Sequence, residues 1–171
     1  SMSKEKAKDE TDAMLSELDD LQNLLYAESR HSLLVVLQGM DASGKDGAMK
    51  RVLEFVNPGG VETANFKAPT SDELAHDYLW RIHRRVPRLG KIGVFNRSHY
   101  EDVLIVRVLA LQPERVWPAR YDQINAFEKY LVENRVVLLK FFLHLSKAEQ
   151  AERLQARLDD PRKNWKFESA D

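Results

Sequence analysis

One short segment near position 40 constrains the fold of this chain more than any other part of its sequence. Residues Gly39 to Lys45 read GMDASGK and fit the pattern G-x-x-x-x-G-K. They directly follow the apolar run Leu33–Leu37 and lead into a stretch with helical spacing, Gly44–Phe55. A continuous apolar run of this kind is typical of a strand buried on both faces. A strand, a glycine-rich turn and a helix in this order are the setting in which the motif binds phosphate.

The chemistry of this loop suits an anion made of phosphate groups. Glycine lets the backbone curl so that its N–H groups point inward, and the start of the following helix adds a positive potential. Lys45 adds a full positive charge for the phosphate that is transferred. A tight turn without a ligand is the alternative. We expect phosphate contacts from Gly39, Ala42, Ser43, Gly44, Lys45 and Asp46.

Two acidic residues distinguish this loop from the usual pattern. The residue after the lysine is normally Ser or Thr, whose hydroxyl binds magnesium, but here it is Asp46. The metal must therefore be held differently. Asp41 lies inside the loop, where a carboxylate would repel phosphate unless it binds magnesium directly or through water. A local hydrogen bond that stabilises the turn is the alternative role for Asp41.

The rest of the chain alternates between strand and helix patterns. The predicted strands are Leu33–Leu37, Val61–Phe66, Lys91–Asn96 and Val136–Leu145. The predicted helices cover residues 3–28, 44–55, 71–86, 98–111, 117–134 and 146–158, with Ser71 and Asp72 as candidate caps of the third. The last helix opens with a match to the capping box, in which Ser146 is the cap and Glu149 follows three residues later. This alternation predicts an α/β fold, a P-loop NTPase-like parallel sheet with helices on both faces. Because such a fold usually has at least one further strand and helix, we expect the chain to be C-terminally incomplete.

The patterns divide the chain into three regions. Residues 1–30 carry leucines at helical spacing and predict an N-terminal amphipathic helix, which covers the core or joins copies of the chain into a homo-oligomer. Residues 31–158 form the P-loop kinase core, and residues 159–171 start a lid. A mobile basic flap here would neutralise a polyanion and exclude water, whereas a solvated helix end is the alternative. The cations that cluster within fourteen positions here, from the end of the core into this segment, are Arg153, Arg157, Arg162, Lys163 and Lys166.

Composition limits the partners of the chain. Its 26 Lys and Arg residues against 27 Asp and Glu residues give a net charge of −1, so no overall field attracts nucleic acid or an anionic membrane. The absence of cysteine excludes disulfides and thiolate metal sites. No apolar run is long enough to span a bilayer, and the first residues lack the layout of a secretion signal. We therefore expect a cytoplasmic protein without nucleic-acid or membrane partners.

A second group of polar residues follows the strand Lys91–Asn96, at the edge where open α/β sheets bind ligands. The Asp that usually ends this strand is replaced by Asn96, a neutral and weaker magnesium ligand. Glu101 and Asp102, one turn further on, could restore the missing negative charge. Arg97 would lie beside the phosphates and stabilise charge in the transition state, or it would pair with Glu101 instead.

Four specific motifs occur in order: GMDASGKDGAMKR at Gly39–Arg51, FKAPT at Phe66–Thr70, FNRSHYED at Phe95–Asp102 and DPRKNWKF at Asp160–Phe167. Together they resemble the family-2 polyphosphate kinases, which move phosphoryl groups between inorganic polyphosphate and nucleotides. The likeness extends from about residue 12 to the end. It implies an enzyme that uses Mg²⁺ and takes AMP, ADP and ATP as partners of polyphosphate. The form with Asn96 resembles the subgroup that phosphorylates both AMP and ADP.

The resemblance also implies roles for individual residues. Asp41, Lys45 and Arg97 would be catalytic, with Asp41 at the magnesium ion and the two basic residues on phosphate. Glu101 and Asp102 would be further metal ligands. The basic residues implied on the nucleotide side are Lys67, Arg81 and Arg107. The phosphate-binding residues implied in the lid are Arg157, Lys163 and Lys166.

Two other functions stay open at this point. An ATP-dependent nucleotide or small-molecule kinase would use the same fold. The cation density of the lid and the missing hydroxyl after Lys45 favour polyphosphate over ATP as the donor. A fragment that binds polyphosphate without catalysis is the other alternative.

Overall fold

The computed structural model describes residues 3–162. Its helices are α1 (Lys4–Glu28), α2 (Lys45–Leu53), α3 (Ser71–Leu74), α4 (Trp80–His83), α5 (Glu101–Val108), α6 (Trp117–Glu133) and α7 (Lys147–Asp159). Its strands are β1 (Ser32–Gly39), β2 (Val61–Asn65), β3 (Ile92–Asn96) and β4 (Val136–Leu143). Within these residues, no helix combines the length and the apolar character needed to cross a membrane.

In this part of the chain, four strands form one parallel sheet in the order β2-β3-β1-β4. The predicted buried strand is confirmed as β1, which pairs with β3 on one side and β4 on the other. The register places Leu37 beside Asn96 of β3, and Gly39 beside Leu143 of β4. The carboxyl ends of these strands therefore meet at one edge, where the chain segments that follow β1 and β3 leave the sheet side by side.

The two faces of β1 pack against different helices, because successive side chains of a strand point to opposite faces. Leu34 is fully buried with Phe95 and with Leu131 of α6 in one hydrophobic cluster. Leu37 lies in a second cluster, against which Leu53 of α2 packs. Helices therefore cover both faces of the sheet, as the alternating pattern predicted.

The prediction of a single helix over residues 71–86 is wrong. The chain forms the two short helices α3 and α4 instead, separated by a turn. The carboxylate of Asp77 accepts the backbone N–H groups of Leu79 and Trp80 at 3.0 and 3.1 Å. An Asp side chain that bonds nearby backbone in this way competes with the hydrogen bonds of a continuous helix.

The predicted caps Ser71 and Asp72 are also wrong, because α3 is capped by Thr70. The Thr70 hydroxyl accepts the Glu73 N–H at 3.2 Å, and the Glu73 carboxylate accepts the Thr70 N–H at 2.8 Å. This reciprocal capping box satisfies two backbone donors that a helix start leaves without partners.

Two other helix starts concern the site directly. Helix α5 begins later than residue 98, because Arg97 has a left-handed backbone with φ 64° and Ser98 Oγ accepts the Tyr100 N–H at 3.2 Å. Ser146 is confirmed as the cap of α7, where its hydroxyl accepts the Glu149 N–H at 3.2 Å.

Candidate active site

The glycine-rich loop, residues Gly39–Lys45, joins β1 to α2 through a tight turn. A side chain at Gly39 would bring its Cβ to 2.8 Å from the Leu143 carbonyl oxygen, so only glycine fits there. Gly44 and Ala42 have left-handed backbone conformations, with φ of 94° and 63°. For Ala42 this conformation costs about 1 kcal/mol. Backbone strain of this kind is common at ligand-binding turns.

Lys45 is buried within this loop, with only 9% of its surface exposed. Its ammonium donates to the carbonyl oxygens of Gly39 at 2.6 Å and Met40 at 3.0 Å, and to Ser43 Oγ at 3.3 Å. Burial lowers the pKa of Lys45 below its usual value, and the charge of Asp41 opposes this shift. A bound anion would offer the ammonium a charged acceptor in place of a neutral carbonyl oxygen, which makes a stronger hydrogen bond.

An ion pair joins the loop to the residue that follows β3. The Arg97 guanidinium donates to Asp41 Oδ1 at 3.0 Å, so Arg97 pairs with Asp41 rather than with Glu101. The Arg97 N–H donates to the Leu37 carbonyl oxygen at 3.1 Å, which fixes Arg97 to the end of β1. Both side chains of the pair are more than one third exposed. Such a pair contributes little stability, so a ligand can take the place of either partner at a low cost in free energy.

The two positions that depart from the usual motif contact one another. Asn96 Nδ2 donates to Asp46 Oδ1 at 2.6 Å. Asn96 is buried at the end of β3, whereas Asp46 is exposed in the first turn of α2. From β1, Gln38 Nε2 donates to Glu101 Oε1 at 3.0 Å and orients this carboxylate. Neither the contact to Asp46 nor the role of Gln38 follows from the sequence.

The carboxylates near the loop suit a magnesium ion that is shared with a phosphate chain. The charges of Asp41, Asp46 and Glu101 all act on the Lys45 ammonium. Within residues 3–162, no group of three or more acidic or histidine side chains forms a complete metal cage. Magnesium is usually held by one or two carboxylates together with phosphate oxygens and water, and the donors present here fit this mode.

A cavity of about 660 Å³ lies beside Arg97 and Glu101. Lys67 contributes a positive charge to its lining, and Ile105 and Leu109 contribute apolar surface. Ligand pockets of small molecules commonly have a volume in this range, and the charged side chains in this lining suit a charged ligand. The cavity can therefore hold a nucleotide-sized acceptor next to the loop.

Arg81 and Asp102 form a buried ion pair in the wall of this cavity, with side chains 7% and 12% exposed. The Arg81 guanidinium donates to Asp102 Oδ2 at 3.3 Å and to the Lys67 carbonyl oxygen at 2.8 Å. Arg120 donates to the Asp102 carbonyl oxygen at 2.6 Å. Burial raises the pKa of Asp102, although the charge of Arg81 acts to lower it. Arg81 and Asp102 were both predicted as site residues, and in this structure both are held by protein groups.

The three basic residues predicted for the nucleotide are not brought together. Lys67 is exposed at the cavity, and Arg81 is buried in its wall. Arg107 does not line the cavity, and its guanidinium lies 4.9 Å from the centre of the Trp117 ring. Of these three residues, only Lys67 both lines the cavity and lies outside a buried ion pair.

A buried carboxylate anchors the segment between Arg97 and α5. Glu128 of α6 accepts hydrogen bonds from Tyr100 at 2.5 Å, Lys140 at 2.6 Å and His99 at 3.1 Å. Burial alone would raise the pKa of Glu128, but these three donors outweigh it and hold the pKa at about 2. No motif in the sequence indicates this network, because its members come from α6, β4 and the segment before α5.

Helix α7 contacts the glycine-rich loop, which the sequence did not predict. Gln150 Nε2 donates to the Asp41 carbonyl oxygen and Arg153 donates to the Ala42 carbonyl oxygen, both at 3.1 Å. The cation cluster singled out Arg153, but nothing near Gln150 signals a contact across more than a hundred positions. Among the predicted lid cations, Arg157 lies in α7, whereas Lys163 and Lys166 lie outside the described residues.

Sequence comparison connects this site with known proteins. Residues 1–171 match the sequence model of the family described as Polyphosphate kinase 2 (PPK2). The chain is 58% identical over 154 residues to a Meiothermus ruber protein named AMP/ADP-polyphosphate phosphotransferase. It is 51% identical over 166 residues to a Rhodopseudomonas palustris protein named ADP-polyphosphate phosphotransferase. Each match covers 90% of this chain, which spans 58% and 57% of the length of these two curated relatives.

Structure comparison gives the same relationship. The chain superimposes on the crystal structure of Polyphosphate Kinase 2 from Arthrobacter aurescens TC1 with a TM-score of 0.94 at 43% sequence identity. This match covers 99% of the present chain and 62% of the other. The predicted P-loop kinase-like α/β fold is therefore confirmed.

Proposed function

The chain belongs to the polyphosphate kinase 2 family, and we propose that it transfers a phosphoryl group between inorganic polyphosphate and the nucleotides AMP and ADP, with Mg²⁺ as cofactor. The names of the two relatives at 58% and 51% identity specify polyphosphate with these nucleotides. The observation that carries the proposal is the Lys45 ammonium, buried in a glycine-rich loop beside the exchangeable Asp41–Arg97 pair.

The loop would bind the terminal phosphate of the donor. Its backbone N–H groups and the start of α2 favour an anion at this place. The Lys45 ammonium would exchange one of its carbonyl acceptors, at Gly39 or Met40, for a phosphate oxygen. Arg97 would exchange Asp41 for the same anion, since their half-exposed pair costs little to open.

Transfer would then proceed by direct displacement. An oxygen of the terminal nucleotide phosphate attacks the terminal phosphorus of polyphosphate, in line with the bond that breaks. The new P–O bond joins the phosphoryl group to the nucleotide, and the bridging oxygen leaves with the shortened polyphosphate. Lys45 and Arg97 stabilise the negative charge on the transferred group, while the adjacent cavity orients the acceptor. No covalent bond to the protein is needed.

A magnesium ion, when bound, would neutralise phosphate charge and help to align the reacting oxygens. Asp41 and Glu101 would hold it. Gln38 keeps Glu101 oriented for this role, with its amide donating to the carboxylate at 3.0 Å. Asp102 would support the site through its ion pair with Arg81.

The proposal is tested by incubating the chain with polyphosphate, AMP or ADP, and Mg²⁺ and measuring ADP and ATP. We expect product from the unaltered chain and a loss of about 10²-fold to 10³-fold in Lys45→Met. Lys129→Met is the matched control, because Lys129 is exposed on α6 and its loss leaves the site intact. ATP is supplied in a parallel reaction as the donor, to test the alternative kinase. If the chain binds polyphosphate but forms no product, the result favours the fragment that binds without catalysis. If the chain neither binds polyphosphate nor forms product, the result contradicts the proposal.

A further inference from the structure

A carboxylate and a neutral group have exchanged places in this site, relative to the usual pattern of phosphate-binding loops. In that pattern a Ser or Thr follows the lysine, an Asp lies at the second motif, and both hold magnesium. Here Asp46 follows the lysine, and Asn96 ends β3. Each arrangement contains one carboxylate, so the exchange leaves the charge of the pair unchanged.

The exchanged residues are in direct contact across 50 positions of sequence, at 2.6 Å from Asn96 Nδ2 to Asp46 Oδ1. An ionised carboxylate only accepts hydrogen bonds, so the amide nitrogen of Asn96 must face it. Asn96 is 6% exposed and therefore held in place, whereas Asp46 is exposed. The buried amide fixes one oxygen of the carboxylate. Within the described part of the chain, the other oxygen, Oδ2, has no hydrogen-bond partner.

We propose that Asp46, oriented by Asn96, is the carboxylate that binds the divalent cation in place of the usual Asp at the end of β3. The inference rests on the proposed function and adds a residue to its cation site. Asp46 was predicted from the sequence only as a phosphate contact. A carboxylate next to phosphate is repelled unless a cation lies between them. The charge of Asp46 also acts on the Lys45 ammonium, as do those of Asp41 and Glu101.

Substitutions within the pair separate this role from a general contribution to charge. Asp46→Ser leaves no carboxylate at either position. Asn96→Asp brings two carboxylates into contact, where their repulsion favours protonation of one of them. The double variant Asp46→Ser/Asn96→Asp again has one carboxylate and one hydroxyl, in the usual order. Recovery in the double variant shows that one carboxylate at this contact is needed for the cation. Asn96→Leu keeps the charge and removes only the amide that orients Asp46. It should weaken cation binding if Asp46 is an oriented ligand, whereas unchanged binding would mean that Asp46 only adds negative charge and would overturn the inference.

The experiment measures Mn²⁺ binding to the 171-residue chain in the presence of pyrophosphate, from the electron paramagnetic resonance signal of free Mn²⁺. We expect Asp46→Ser to weaken Mn²⁺ binding by about 10-fold to 100-fold. The double variant should regain most of this loss. Asp20→Asn removes an exposed carboxylate from α1 and is the matched control, with unchanged affinity. Because Asp46 is itself exposed, its substitution leaves the core intact, which thermal unfolding of each variant verifies.

Unchanged Mn²⁺ affinity in Asp46→Ser, or a double variant no better than this single variant, would overturn the inference. Calorimetric titration with pyrophosphate in the absence of metal distinguishes that result from a failure of the proposed function. A chain that binds pyrophosphate through Lys45 but holds Mn²⁺ independently of Asp46 keeps the proposed function and loses the inference. A chain that binds no pyrophosphate with or without metal loses both.

Discussion

Two of the Arg–Asp ion pairs at the cavity of this protein differ mainly in burial. The pair of Arg97 and Asp41 has a distance of 3.0 Å and side chains 39% and 38% exposed. The pair of Arg81 and Asp102 has a distance of 3.3 Å and side chains 7% and 12% exposed. The members of both pairs were predicted as site residues, Asp41, Arg97 and Asp102 from their positions in the sequence and Arg81 from the family resemblance alone.

The difference shows that residue type at the ligand edge does not by itself distinguish an exchangeable charge from one held by a buried partner. Water and ligands can replace the partners in the exposed pair, so opening it costs little. The members of the buried pair depend on each other, because removing one leaves the other charge buried without its partner. We therefore expect variants of the exposed pair to change chemistry and variants of the buried pair to change stability.

The largest effect is expected from Asp102→Ala, which leaves buried Arg81 with only the more distant carboxylate of Glu73, at 3.7 Å. We expect a loss of about 3–4 kcal/mol in the free energy of unfolding. Asp41→Ala, which breaks the exposed pair, should change it by about 1 kcal/mol or less. Urea denaturation followed by circular dichroism compares the two variants with the unaltered chain. Equal losses in both would break the distinction between the pairs.

The next largest effect is expected from Arg97→Ala, which removes a cation from the transferred phosphoryl group. Its turnover should fall by about 10²-fold to 10³-fold, while its unfolding free energy stays close to that of the unaltered chain. Arg88→Ala removes an exposed arginine outside the site and serves as the control. A variant that loses stability in proportion to activity would assign Arg97 a structural role instead.

A smaller effect is expected from Glu128→Gln, in the buried network that anchors the segment after Arg97. At neutral pH this variant should lose about 2 kcal/mol in the free energy of unfolding, because a neutral amide replaces the charged carboxylate that three donors share. The pKa of Glu128 is about 2 in the folded chain and 4.5 as its ordinary value. The unfolded chain therefore binds the extra proton first as the pH falls, so this stability is present above pH 4.5 and is lost between pH 4.5 and about 2.

Acid unfolding measures whether the free energy of unfolding falls with pH in this range. The unaltered chain should lose stability through that range, and Glu128→Gln should show a flatter dependence on pH. Exposed Glu133→Gln on α6 is the matched control and should keep the profile of the unaltered chain. If Glu128→Gln instead gave the same slope as the unaltered chain, the three donors would not be what lowers this pKa.

Features that depend on neighbouring residues were predicted correctly from the sequence. The glycine-rich loop, the four strands and the cap at Ser146 follow from motif, apolar runs and turn chemistry, which are local. The single helix over residues 71–86 failed for a local reason as well. Helical spacing continues through Asp77, but its carboxylate bonds backbone N–H groups and ends the helix pattern.

Features that depend on contacts across the fold were not accessible from the sequence. The departures at Asp46 and Asn96 were recognised separately, but their hydrogen bond required the register of β1 beside β3. The family resemblance implies Arg81 on the nucleotide side, and its burial against Asp102 is visible only in the fold. The approach of Gln150 to the loop likewise depends on how α7 packs.

The most direct measurement is a crystal structure of this chain with pyrophosphate and Mg²⁺. We expect a phosphate group inside the loop of residues 39–45, hydrogen bonded to backbone N–H groups. The Lys45 ammonium should leave the Gly39 carbonyl oxygen for a phosphate oxygen. An empty loop, with Lys45 still on that carbonyl oxygen and pyrophosphate bound elsewhere, would show that the loop is not the phosphate site.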